Sequence, residues 1–145
     1  MIALIQRVTE ASVRVEGELV GCIGAGLLAL IGVERDDGED NAARLVDRML
    51  TYRVFGDDAG RMNRSLLDSQ GALLLVPQFT LAADTRKGTR ASFSSAAPPE
   101  RARELFDHLV TLARARCAVV QTGVFGADMA VASINHGPVT FRLEA

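Results

Sequence analysis

Apolar and polar positions alternate from the start of the chain and later change period, and that change separates strands from helices. Alternation from Ile2 to Thr9 predicts a strand, and Ser12–Val15 with Leu19–Ile23 predicts a hairpin turning at Glu16-Gly17-Glu18. After Gly24-Ala25-Gly26, the uninterrupted apolar run Leu27–Val33 has strand length and predicts a buried central strand. Beyond the break at Asp36-Asp37-Gly38 the period becomes helical. Ala42, Leu45, Val46, Met49 and Leu50 share one face and Arg44, Asp47 and Arg48 the other, which predicts a helix from Asp40 to about Tyr52. A short strand at Arg53–Phe55 and an Asp- and Gly-rich turn at Gly56–Gly60 follow.

In the second half, Ala72–Val76 is another apolar strand that runs into Pro77-Gln78-Phe79-Thr80-Leu81. Asp84–Ser95 is polar, and Pro98-Pro99-Glu100 opens a helix, since proline suits a first turn and an acid there suits the helix dipole. Ala102, Leu105, Phe106, Leu109, Leu112 and Ala113 form its apolar face. Ala118–Thr122, Met129–Ile134 and Val139–Leu143 predict strands, the last two separated by the Gly137-Pro138 step. Strands outnumber helices, and no repeat or linker interrupts the chain. The predicted fold is α/β (α+β): a single domain over residues 1–145, with two main helices packed on largely antiparallel, barrel-like sheets.

Composition narrows the function classes. With 48% apolar and 23% charged residues and no apolar run of about 18, a soluble protein without a membrane span is expected. Met1–Glu10 lacks the charged-then-apolar form of a secretion signal. Cys22 and Cys117 are expected to be buried or semi-buried reduced thiols, and with two distant histidines they make no metal set. No metal or other cofactor is called for, and the cytoplasm is the expected compartment. The net charge of −2 argues against a protein that grips long stretches of nucleic acid, because each phosphate contact needs a cation. A local basic loop holding one end of an RNA stays open.

Three segments combine polar groups with backbone signals. Gln78-Phe79-Thr80 follows a buried strand, where active-site loops are common; Thr80 reads as a nucleophile or simply as a β-compatible residue, and no base is assignable beside it. Backbone N–H groups there are an alternative source of chemistry, because they stabilise an oxyanion without a side-chain signature. Arg86-Lys87-Gly88-Thr89-Arg90 suits a phosphate or is solvated surface. Asn135-His136-Gly137-Pro138-Val139-Thr140 reads as a turn, with His136 either a loop histidine or a catalytic one. By themselves Arg7 is a surface charge, Asp128 a loop residue and Met129 a core residue.

Together these segments resemble the D-aminoacyl-tRNA deacylase family. The resemblance rests on Gln6-Arg7-Val8, Ala11-Ser12-Val13, Gln78-Phe79-Thr80-Leu81, Ala83-Asp84-Thr85-Arg86-Lys87-Gly88, Ala96-Ala97-Pro98, Phe125-Gly126-Ala127-Asp128-Met129 and Asn135–Thr140, in order along the whole chain. It implies a homodimer with active sites at the subunit interface, acting on the acceptor end of aminoacyl-tRNA and not on DNA. The reaction implied is hydrolysis of the ester between a D-amino acid and the terminal adenosine, with glycyl esters, including Gly-tRNA mischarged on tRNA-Ala, also cleaved. Gly137-Pro138, in cis, is implied to reach into the partner's pocket and to exclude L side chains sterically. Arg7 is implied to orient it, Gln78, Phe79 and Thr80 to form the catalytic floor, and Met129 to pack near the adenosine. The reaction is implied to rely on the RNA 2′-hydroxyl and backbone donors, without an obligatory protein nucleophile. The family usually has Ser where this chain has Pro77, and proline removes an N–H there. That departure leaves an alternative: a non-catalytic dimeric binding module for nucleic-acid ends or a small ligand.

Overall fold

The computed structural model describes residues 1–145, and its organising element is strand β1 (Ile2–Val15). Along one edge β1 pairs antiparallel with β8 (Ala130–Glu144) over nearly its whole length. Its other edge is shared: β3 (Gly26–Gly32) pairs with Ile2–Val8, and β2 (Glu18–Ile23) with Ala11–Val15. The predicted end of the first strand at Thr9 therefore does not occur, because Glu10 and Ala11 continue the ladder with Ile134 and Ser133. Strand β6 (Ala72–Pro77) lies parallel to β3, and β7 (Val120–Thr122) parallel to β6, giving the order β2-β1-β3-β6-β7 with β8 on β1. The sheet curls into a nearly closed barrel. At the closing seam Gly21 of β2 lies so near β7 that a Cβ would sit 2.8 Å from the Thr122 carbonyl oxygen.

The inner strands are apolar on both faces, as a covered parallel pairing requires. Leu27, Ala29, Ile31, Leu73 and Leu75 face α1 (Glu39–Thr51) and α3 (Pro99–Arg114), where Leu45, Met49, Leu105 and Leu109 meet them. The alternate residues Leu28, Leu74 and Val76 form a smaller core inside the barrel with Val8, Val13 and Ile23. The fold is α+β with a barrel-like sheet, in agreement with expectation. Helix α1 begins where Asn41 accepts the Gly38 N–H, and α3 starts on Pro99.

Several expectations need correction. Leu112 is only partly buried, and Val110 takes the place on the buried stripe of α3. Cys117 is buried, but Cys22 is exposed because it points outward between the inward Gly21 and Ile23. The short strand near residue 55 is β4 (Phe55–Gly56), not Arg53–Phe55; it pairs with β5 (Met62–Arg64), which the sequence pattern does not disclose. The single turn of α2 (Leu66–Ser69) was also missed, although Ser65 and Asp68 form a reciprocal cap at its start. Gly137-Pro138 does not divide two strands. Both residues lie within β8, as an interruption of its ladder with β1.

At Gly26, in the parallel β3–β6 pairing, a Cβ would fall 1.9 Å from the Ala72 carbonyl oxygen. Gly26→Ala must push these backbones apart, so chemical denaturation should show a loss of about 3 kcal/mol or more. Gly24→Ala, which meets nothing within 4 Å, is its control. Equal stability of the two variants would refute this packing.

Candidate active site

Opposite Arg7 the β1–β8 ladder loses its register. Gln6 faces Thr140 and Val8 faces Asn135, so one residue of β1 stands against residues 136–139 of β8. The extra residues bulge outward, and side chains on both strands close the base of the bulge. Asn135 accepts the Val139 N–H at 2.8 Å and donates to Thr140 Oγ1 at 2.9 Å, while Gln6 also donates to Thr140 Oγ1. Arg7 Nε donates to the His136 carbonyl at 2.8 Å, and Arg7 Nη1 to the Val54 carbonyl at 2.6 Å. One guanidinium thus ties the bulge to the segment after α1, and its planar fork suits two carbonyls better than a point-like ammonium would. Gly137 has φ +148, and a Cβ there would meet Val139 Cγ2 at 2.6 Å and Arg7 Nη2 at 3.1 Å. The Gly137–Pro138 peptide bond is cis. His136, Gly137 and Pro138 are exposed, and Val131 and Ile134 on the same strand are 40% and 55% exposed.

A separate cleft of about 460 Å³ opens beyond the end of β6. Its lining includes Pro77, Gln78, Phe79, Phe125, Asp128 and Met129, and Asp128 is its only ionisable side chain. Gln78 is fixed by its own N–H, which donates to the Ile31 carbonyl at 2.7 Å. The chain then tightens into a 3-10 turn, Phe79–Ala82, packed beside Gly32, where a Cβ would sit 2.9 Å from Leu81 Cβ. A turn of this kind leaves its first N–H groups, those of Phe79 and Thr80, without partners inside it. The Thr80 hydroxyl accepts from the Gln78 side-chain amide, and no histidine or carboxylate bonds to it. Met129 Sδ accepts the Val124 N–H at 3.3 Å and crowds Gly123, which leaves room for nothing larger there. Pro77 sits where alternate N–H groups of β6 point toward β7. The pairing continues one residue beyond β7, where the Gly123 N–H donates to the Leu75 carbonyl, and the Pro77 ring lies against Gly123, its Cδ 3.5 Å from where a Gly123 Cβ would sit.

The expected site residues therefore fall into two groups. Gln78, Phe79 and Met129 line the cleft, with Thr80 bonded to Gln78; Arg7, Gly137 and Pro138 belong to the bulge on β8 and do not line it. Sequence reasoning overlooked Asn135 as the bulge's own clamp and Phe125 as a cleft wall. An Asn placed just before a Gly-Pro step is a recognisable signal for such a clamp. Among His, Cys, Asp and Glu side chains no group of three is placed to hold a metal.

The family described as D-Tyr-tRNA(Tyr) deacylase matches residues 4–144 of the chain. A D-aminoacyl-tRNA deacylase of Thioalkalivibrio sulfidiphilus is 67% identical over 99% of this chain and 97% of its own length. One from Pseudomonas aeruginosa is 62% identical over the full length of both. This chain belongs to the D-Tyr-tRNA(Tyr) deacylase family. A solved structure named c-Myc DNA Unwinding Element Binding Protein superposes with TM-score 0.95 at 38% identity, covering 100% of this chain and 99% of the other. A probable eukaryotic D-amino acid tRNA deacylase, 17% identical, has the same fold with TM-score 0.88 over 99% of this chain and 98% of its own. The deacylase family match spans the cleft, the bulge and the polar segment between the 3-10 turn and α3.

That polar segment is a hairpin closed by reciprocal Asp84–Ser92 backbone bonds of 2.8 and 3.0 Å. Arg86 donates to Asp84 through its side chain, at 2.9 and 2.6 Å, and through its N–H, at 3.0 Å. These bonds, side chain first, hold the Asp84 carboxyl well below its ordinary value of 3.8 and raise Arg86. A depressed carboxylate stabilises the hairpin above pH about 3.8, and the contribution disappears as pH falls through the lower folded value. An NMR titration of the Asp84 side-chain carbon should show a midpoint below 3.8, returning to the ordinary range in Arg86→Ala. An ordinary midpoint in the unaltered chain would contradict the pairing.

Proposed function

We propose that this chain is a chiral proofreading hydrolase that cleaves the ester of D-aminoacyl-tRNA and releases the free D-amino acid and tRNA. The observation that carries the reading is the exposed, Arg7-held bulge at Gly137-Pro138, which lies outside the cleft of its own chain. The exposed face of β8 meets a second copy, and the bulge enters the partner's cleft. There its backbone occupies the space an L side chain would need, and a D side chain points elsewhere. An achiral glycyl ester, including glycine mischarged on tRNA-Ala, has no side chain to exclude and is cleaved. The family match and its deacylase-named relatives support the same activity.

The chemistry follows from what the cleft offers. Thr80 has no base, so it is not the nucleophile. The terminal adenosine packs near Met129, and its free 2′-hydroxyl lies beside the 3′ ester and assists an attacking water. The water oxygen bonds to the carbonyl carbon, and the negative charge moves to the carbonyl oxygen, held by the Phe79 and Thr80 N–H groups. The bond to O3′ then breaks, one proton of the water passes to O3′ and the other to solvent, and the amino acid leaves as a carboxylate. Gln78 orients the carbonyl through its fixed position. No metal or cofactor takes part, and the reaction takes place in the cytoplasm, where charged tRNA is used.

A second reading, a binding module for nucleic-acid ends without chemistry, is favoured by Pro77 and by the DNA-binding name of the relative at 38% identity. Purified protein incubated with D-Tyr-tRNA and L-Tyr-tRNA separates the two: the proposal requires release of D-tyrosine at least about a hundredfold faster. Binding of both esters without release would support the second reading. Arg7→Ala and Gly137→Ala should lower the D-over-L ratio by about tenfold or more, through faster cleavage of the L ester. A ratio unchanged in a folded Arg7→Ala protein would sink the gate.

A further inference from the structure

The cleft described above accounts for one nucleoside and its amino acid, yet its mouth carries features that such a ligand does not use. Phe79 is 59% exposed and Phe93 43%, and the two rings pack on each other with centroids 5.0 Å apart at 45°. Aromatic rings of this size normally go to the core. Phe79 also lines the cleft, so the pair stands at its rim. Phe93 follows directly on the Asp84–Ser92 hairpin, whose polar face forms a depression of about 380 Å³ lined by Arg86, Lys87 and Arg90. Asp84 already neutralises Arg86, whereas neither Lys87 nor Arg90 appears in any ion pair. Three cations against one carboxylate leave the hairpin with two uncompensated positive charges, on a chain whose net charge is −2.

The hairpin is also held in place. The segment leaves the sheet where the Gln78 N–H meets the Ile31 carbonyl and returns where the Ala97 N–H meets the Val33 carbonyl. Between those points Arg35 Nε donates to the Ser94 carbonyl at 3.0 Å, and the Ser95 hydroxyl donates to the Ala82 carbonyl. A mobile surface loop would need none of these ties.

We propose that Phe93, with Phe79, and the cations Lys87 and Arg90 form a docking surface for the single-stranded RNA that leads into the cleft. A base stacks on the exposed ring pair, and Lys87 and Arg90 take the phosphates on the 5′ side of the terminal nucleoside. Bases and phosphates alternate along a single strand, and an aromatic platform beside a short basic track is the arrangement that holds such a strand without reading its sequence. The inference rests on the proposed function, because it takes the cleft as the seat of the terminal nucleoside.

The test compares two esters with the native chain, Lys87→Ala/Arg90→Ala and Phe93→Leu. One ester is D-Tyr-tRNA; the other is D-tyrosyl-adenosine, which has the ester and the nucleoside but no phosphate. The ratio of kcat/KM for the tRNA ester to that for the nucleoside ester should fall about tenfold in each variant, through KM. The dependence of log KM on log salt should become shallower by about 1.4 in the double variant, for two phosphate contacts on a single strand. Equal losses on both esters, or no loss on either, would overturn the proposal. If the native chain cleaves neither ester, the proposed function fails while the docking surface remains measurable. Fluorescence anisotropy of a labelled single-stranded RNA ending in CCA should then show binding about tenfold weaker in each variant. Unchanged binding would overturn the surface, and equal affinity for DNA of the same sequence would overturn its assignment to RNA.

Discussion

The register between β1 and β8 is the constraint on which the rest of the structure depends. Gln6 and Val8 on either side of Arg7 pair with Thr140 and Asn135, a second shift follows between Val8 and Glu10, and one residue of β1 must face residues 136–139 of β8. A ladder interrupted in this way exposes carbonyls with no strand partner, and such groups are costly unless something satisfies them. Arg7 satisfies one of them, at His136, and anchors itself on Val54. Asn135 closes the loop from within. The sheet supplies the rigidity: β1 is paired on both edges along most of its length, so Arg7 stands on a strand held from both sides.

A different use of the same sheet builds the cleft. Strand β6 ends at Pro77, the last residue of its parallel pairing with β3, and the chain passes through Gln78 into the 3-10 segment. The parallel pairing depends on Gly26, and the turn packs against Gly32, so small residues of one strand set where the backbone donors of Phe79 and Thr80 point. The groups with displaced pKa are Asp57, Asp68, Asp84 and Arg86, and each is held by hydrogen bonds within a turn or cap. None lines the cleft. A search for the site through perturbed titration would therefore end in the turns, which suits a reaction carried by backbone donors and by a hydroxyl of the substrate.

Much of this was legible in the sequence, for physical reasons. The core strands Leu27–Val33 and Ala72–Val76 and the helical stripes around Leu45 and Leu105 follow from burial, and burial writes itself into periodicity. Short elements were not legible: β5 and α2 are too brief to show a period, and α2 betrayed itself only through Ser65 and Asp68. Gly137-Pro138 looked like a strand break because local preference favours a turn, while the long ladder with β1 carries the strand past it. Of the site, Gln78–Thr80 and Arg7 stood out only in combination with the Gly-Pro segment. Phe125 and Phe93 act through contacts distant in sequence, which no local pattern records, whereas Asn135 bonds four and five residues along and its place before the Gly-Pro step was readable.

The central claim is that the gate of one protomer serves the cleft of the other, and mixing two variants tests it directly. A protomer with Gly137→Ala keeps its cleft and loses its gate, so alone it should cleave L-Tyr-tRNA. A protomer whose cleft is filled by a bulky side chain, Ala127→Trp, keeps its gate and should cleave neither ester. When the first is co-refolded with an excess of the second, each working cleft receives an intact gate from its partner. The account predicts that L-ester cleavage per working protomer falls toward zero while D-ester cleavage persists. Undiminished L-ester cleavage in the mixed dimers would contradict it.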